Sequence, residues 1–253
     1  MYRLSLGLLA ISIFLRTSLS SAQDAKELFR SMQRSLGGQD KIAAVYDFEQ
    51  CVRANAWDND GKFHGVVYKR TRWIKPNTLR LDQVGSGNSY VVYFDGESGW
   101  EMLPDKGFVP LAGDELEFVK GYLHGIDLKS WLVGGDATNE FMSPASDVVA
   151  ISTKGDSSHR TEIRLDPATL LPTEERLVSV KKGNVQVVNQ TRQFVGWKAI
   201  QGIKFPRRII NFHGSQKVAD INIQTIKLDG ALKAKDLSER PSDLKPVMSG
   251  CGS

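Results

Sequence analysis

Histidine, cysteine and long apolar runs are all scarce in this sequence, and each scarcity excludes something. The four histidines, His64, His124, His159 and His213, lie far apart, and none stands in a His-Glu-x-x-His context. The two cysteines, Cys51 and Cys251, form no Cys-x-x-Cys pair. A ready-made zinc or dithiol motif is therefore excluded. No glycine-rich loop precedes a helix, which excludes a phosphate-cradling loop. Gly96-Glu97-Ser98-Gly99 has only a superficial likeness to a nucleophile elbow, because it falls in a hairpin turn instead of a strand-to-helix corner. Carboxylate pairs such as Asp58/Asp60, Asp114/Glu115 and Glu174/Glu175 are explained by turns, a helix start and solvent. The expectation is a non-enzymatic protein with no cofactor and no metal. A secreted hydrolase would need a histidine, a carboxylate and a serine to converge in one cleft.

Charge of one sign is also missing in any concentrated form. The chain has 33 basic and 29 acidic residues, and its basic groups are short and scattered: Lys69-Arg70 with Arg72, Lys181-Lys182, Arg207-Arg208. That distribution argues against nucleic acid as a partner. The one continuous apolar stretch, Leu4–Leu15, is shorter than the roughly 20 residues of a spanning helix. Preceded by Arg3 and followed by small residues at Ser20 and Ala22, it reads as a cleaved secretory signal over residues 1–22, with Gln23 first in the mature chain. No cysteine follows the small residues, so a lipid anchor is unsupported. Export leaves two readings of the cysteines open: a Cys51–Cys251 disulfide, or a buried Cys51 and a loose thiol in the tail.

What is present is strand after strand. Ser89–Pro104, SYVVYFDGESGWEMLP, predicts a hairpin turning at Asp95-Gly96, with Tyr90, Val92 and Phe94 on one face and Val91 and Tyr93 on the other. Neither face suits water, so both must be covered. Ahead of it, Asp24 can cap a helix through Leu28, Phe29, Met32 and Leu36 that stops at Gly37-Gly38, and Lys41–Val45 reads as a second short helix. Extended segments follow at Tyr46–Trp57, Phe63–Ile74 and Leu79–Val84, and later at Val148–Thr153, Arg160–Leu165, Glu174–Lys181, Val185–Trp197, Lys204–Phe212 and Val218–Leu228. About ten or eleven strands joined by short turns make an antiparallel meander, because no turn is long enough for a crossover helix. The meander is broken by one apolar helical stretch, Asp114–Leu132, which Gly121 and Gly125 should loosen or split. The stretch after Leu232, with Pro241 and Pro246, reads as an ordered strap and then a loose end.

Four features in order along the chain resemble the LolA/LolB-like carriers and outer-membrane lipoprotein-sorting proteins. They are Leu36-Gly37-Gly38 after the first helix, Tyr93-Phe94-Asp95-Gly96-Glu97-Ser98-Gly99-Trp100, Arg164-Leu165-Asp166-Pro167 with Leu171-Pro172, and Gly202-Ile203-Lys204-Phe205-Pro206. The resemblance spans most of residues 25–240. It implies a mainly β fold, a strongly curved antiparallel sheet forming an incomplete barrel with helices over its concave face. It places one such domain at residues 23–245 and a flexible tail at 246–253. It further implies a monomeric periplasmic protein that shelters a lipid or lipidated protein, with an inner- or outer-membrane envelope protein as a further partner. The alternative is an envelope-stress sensor or interaction module on the same fold. Residues expected to face an apolar cavity are Trp73, Leu81, Tyr90, Val92, Phe94, Trp100, Phe118, Tyr122 and Trp131.

Overall fold

The computed structural model describes residues 24–85, 89–132, 138–156, 158–181, 185–242, 244 and 251. The leader and most of the tail lie outside the described residues. One antiparallel sheet of thirteen strands dominates the described chain, in the order β6-β5-β4-β3-β2-β1-β13-β12-β11-β10-β9-β8-β7. The strands are β1 (Asp47–Trp57), β2 (Phe63–Ile74), β3 (Thr78–Gly85), β4 (Tyr90–Phe94), β5 (Gly99–Leu103), β6 (Gly107–Pro110) and β7 (Asn139–Ala145), then β8 (Val148–Thr153), β9 (His159–Leu165), β10 (Pro172–Lys181), β11 (Val185–Ile200), β12 (Ile203–His213) and β13 (Gln216–Leu228). Every neighbouring pair is consecutive in sequence except β1 and β13, which pair from Phe48↔Leu228 to Ala56↔Ala219. The sheet is thus two meanders joined along that seam, curved and left open at β6 and β7. Register shifts at Cys51/Val52, Leu177/Val178 and Asn211/Phe212 mark bulges, which sharpen strand twist and help bend the sheet.

Two strands exceed those legible in the sequence, and they are the two edges. Both β6 and β7 contain a proline, Pro110 and Pro144. Proline has no N–H for the ladder, so it is tolerated at edges and weakens a sequence-level strand signal.

Helix α1 (residues 24–36) and α2 (Gln39–Ala44) precede the sheet. α1 buries Ala25, Phe29, Met32 and Leu36 completely, a stripe at helical spacing laid on the concave face. Gly37 ends it at φ +132°, and a β-carbon there would stand 2.4 Å from the Gly202 carbonyl oxygen and 3.0 Å from the Ile203 α-carbon. The two sequence features that contain these glycines therefore meet in space. The long apolar stretch forms α3 (Gly113–His124) and α4 (Asp127–Ser130), split at Gly125. Since this segment joins the two open edges, it must cross the concave side, where Val119, Leu123, Ile126, Leu128 and Trp131 enter the core. Trp131 packs on Phe205 and Trp197 with ring centroids 5.6 and 6.2 Å away, and the Gln33 side-chain amide of α1 donates to its carbonyl at 2.8 Å.

Part of the convex face is covered too, by the chain beyond β13. Asp47 accepts from the backbone of Gly230 and Leu232 at 2.8 and 3.1 Å, while Asp229 accepts from Tyr46 at 2.7 Å, fixing the exit from the sheet. α5 (Ala234–Ser238) then lies over β3 and β4. Buried Arg80 donates to the carbonyls of Leu237 and Glu239 at 2.9 and 2.5 Å and to Asp82 at 2.9 Å. Beyond it Leu244 packs on Val91 and Trp100. Cys251 is bonded to Cys51 on β1, with α-carbons 5.6 Å apart. Among the described residues, no helix is long and apolar enough to cross a membrane.

Candidate functional site

At one end of the concave face the helices and the sheet are in full contact; toward the other end they part. The gap is a cleft of about 850 Å³, walled by β1, β2, β7–β13 and the inner side of α3 and α4. This volume falls in the range of roughly 300–1,000 Å³ typical of ligand clefts. Its apolar lining comes from Phe48, Val52, Ile126, Ile151, Ile163, Ile209 and Ile221, with Phe118 and Leu177 at exposed positions. Strand alternation explains the set: Phe48, Gln50 and Val52 share the inward face of β1, and Ile209 stands opposite Ile221 across the β12–β13 pair.

Of the nine side chains expected to face a cavity, Phe118 and Tyr122 line this cleft. Trp73, Leu81, Val92, Phe94 and Trp131 are at most 5% exposed and belong to the packed core beneath α1 and α4, with Tyr90 partly buried against them. Alternation gave their face but not the extent of the helices above it: β3 and β4 lie where the helices fill the sheet. Trp100 is on the other face, opposite Tyr93 in the β4–β5 pair. It is covered by Leu244 and flanked by Arg240, and with Phe108 it lines a shallow hollow of about 320 Å³.

Sequence reasoning missed most polar side chains of the cleft, among them those of β2, β10, β11, β12 and α4. Arg192 on β11 donates to Asp127 at the start of α4 at 2.7 Å and to Glu175 on β10 at 3.0 Å, and lies 5.2 Å from the Phe194 ring centroid. Burial opposes its charge, but Glu175 and Asp127 more than reverse this and its pKa is raised. It stays a cation, and it ties α4 to the wall. The Tyr122 hydroxyl shares a 3.0 Å hydrogen bond with Thr71 on β2, and the Lys69 ammonium sits 4.5 Å from the Tyr122 ring centroid. Asn211 Oδ1, buried in the same wall, has no hydrogen-bond partner among the described residues. No local signal links these residues; only the register does, setting Arg192 against Asn211 and Lys69 against Val52.

A histidine, a carboxylate and a serine do come together at the cleft margin, in the β8–β9 turn. Ser158 Oγ lies 2.5 Å from Asp156 Oδ1 and 2.9 Å from His159 Nδ1, while His159 Nδ1 is 3.8 Å from Asp156 Oδ2. A relay needs the imidazole between acid and nucleophile, using a different ring nitrogen for each. Here Asp156 contacts the serine directly, and Nδ1 faces both. Hydrogen bonds from Ser158 hold the exposed Asp156 carboxyl below its ordinary pKa, as suits a turn acceptor. Among the described residues no group of three or more His, Cys, Asp or Glu side chains could hold a metal ion.

No family model matches the chain, and no curated protein matches it. Solved structures do. A domain assigned to outer membrane lipoprotein-sorting proteins from Vibrio parahaemolyticus superposes with a TM-score of 0.54 at 10% identity, covering 85% of this chain and 97% of that one. A DUF1329 family protein from Desulfovibrio piger gives 0.58 at 11%, covering 86% and 97%. A LolA superfamily protein from Nitrosomonas europaea gives 0.50 at 14%, covering 82% and 97%. With its open curved sheet, helices across the concave side and nearly full coverage of these structures, the chain has a LolA-like fold.

Proposed function

We propose that this protein is a non-catalytic carrier of the bacterial envelope that shelters a lipid or lipoprotein acyl chain in the cleft beneath α3 and α4. The observation that carries the reading is the cleft itself, a space of about 850 Å³ between sheet and helices with an apolar stripe of Phe48, Val52, Ile126, Ile151, Ile163, Ile209 and Ile221 on its wall. Hydrocarbon offers no hydrogen bonds, and burying it is worth about 0.8 kcal/mol per methylene, so such a wall binds without a dedicated polar site. The fold shared with a lipoprotein-sorting domain supports the same reading. The apolar leader of residues 4–15 and the Cys51–Cys251 bond support export to an oxidising compartment, the periplasm of a two-membrane cell. Loading requires α3 and α4 to lift, and their hinge would lie at Gly125.

Native mass spectrometry on protein purified from envelope extracts without detergent tests this. A bound species that organic extraction releases and identifies as a lipid is the expected result. Protein that emerges without lipid, and takes none up from added lipid, rules the carrier out. A stable membrane-protein partner on lipid-free protein would favour a sensor or interaction module instead.

A further inference from the structure

The cleft wall is not electrically uniform. Arg192 is paired with two carboxylates, Asp127 and Glu175, and Arg160 with one, Glu162 at 2.6 Å. Lys69 differs: it is a partly buried cation in the same wall, and no carboxylate among the described residues pairs with it. Its ammonium rests on the Tyr122 ring, and its other near neighbours are the hydroxyls of Tyr122 and Tyr90. Desolvating an ammonium is costly unless an opposite charge accompanies it. A side chain free to reach solvent normally does so and leaves only its stem on apolar surface. Lys69 instead turns inward from the middle of β2, its cross-strand neighbours being Val52 and Gln83. Burial disfavours the charged form, and the tyrosine oxygens reverse this, leaving the pKa above the ordinary lysine value.

Resting on the carrier reading above, we infer that the occupant of the cleft is an anionic amphiphile whose carboxylate or phosphate head pairs with Lys69 while its hydrocarbon tail runs along Val52, Ile209 and Ile221. The mutually hydrogen-bonded Tyr122 and Thr71 hydroxyls stand beside the head position, and the one whose proton is not used in that bond can donate to the same oxygens. A head group placed there gives Lys69 the counter-charge that the protein does not supply, and the aliphatic wall accepts the tail. Uncharged lipids of equal length gain only the second part.

Delipidated protein is titrated calorimetrically with three ligands sharing one tail: palmitate, hexadecyl phosphate and hexadecanol. Both anions, or whichever of them has the preferred head, should bind at least about tenfold more tightly than the alcohol, the worth of one charge-assisted contact. Lys69→Met should erase that preference, and Lys69→Arg should keep it. Equal affinity for all three ligands in the wild type, or a preference surviving in Lys69→Met, overturns the inference while leaving the carrier standing. Failure of all three to bind overturns both. Should Lys69→Met not fold, the wild-type comparison and Lys69→Arg decide the matter alone.

Discussion

Arg192 offers the sharpest energetic test of how α4 is held to the sheet. Its two guanidinium nitrogens reach Asp127 and Glu175 at 2.7 and 3.0 Å, and the three side chains are only 18%, 9% and 17% exposed. At about 3 Å and an effective dielectric near 20, each contact is worth about 5 kcal/mol of raw attraction, largely offset by desolvation. What a mutation costs therefore depends on what it leaves behind. Asp127→Asn keeps Arg192 paired with Glu175 and should cost about 1–3 kcal/mol, the value of one charged hydrogen bond. Arg192→Met strands two buried carboxylates and should cost about 3–5 kcal/mol. The triple variant Asp127→Asn, Glu175→Gln, Arg192→Met removes every charge and should be more stable than Arg192→Met alone. Urea unfolding followed by tryptophan fluorescence gives the ranking, and hydrogen exchange across residues 113–132 should show faster opening of α3 and α4 in Asp127→Asn. The reasoning fails if Arg192→Met is as stable as the wild type, or if the triple variant is the least stable of the set.

Three further outcomes follow from other parts of the molecule. Gly37→Ala forces a β-carbon to 2.4 Å from the Gly202 carbonyl at φ +132° and should destabilise by about 2–4 kcal/mol in urea while leaving lipid uptake unchanged; a neutral effect would contradict the packing of α1 on β12. Replacing Cys51 and Cys251 by serine opens a link spanning 200 residues and should lower stability by about 2–5 kcal/mol, to be compared with the wild type under oxidising conditions. The Arg208 hydrogen bond holds Asp220 below its ordinary pKa, and Arg70 with Lys227 does the same for Glu49 against the opposing effect of burial. Because both folded pKa values lie under the unfolded ones, the unfolded chain binds more protons in acid. Their contribution is complete above about pH 4–4.5 and is lost as pH falls through the folded values. Arg208→Gln should therefore flatten the acid limb of the stability profile, and an unchanged limb would show that Asp220 does not depend on this partner.

How much of this was legible beforehand depends on the distance over which each signal acts. The β4–β5 hairpin was readable because Asp95 caps its own turn, accepting from the backbone of Glu97 and Ser98 at 2.8 Å with Gly96 at φ +111°. The Asp166-Pro167 turn works alike, with Asp166 accepting from Thr169 at 2.7 Å. The features carrying the family likeness are thus largely turn chemistry and close packing, which report fold and are mute on cargo. Alternation likewise placed Val92 and Phe94 on the inner face, yet it could not tell a filled stretch of that face from a hollow one. The decisive residues of the cleft, Lys69, Asp127, Glu175 and Arg192, are spread over more than 120 positions and look like ordinary surface charges until the register gathers them.

The seam between β1 and β13 has a consequence for how the molecule comes into being. Phe48 finds Leu228 only after all the strands from β2 to β12 have been made, so each meander must wait with its innermost flank bare. Pairing at such sequence separation is slow, and an unzipped strand flank invites foreign chains. The chain spends that interval as two unfinished fans, and the last ladder to close is the one on which the whole arch rests.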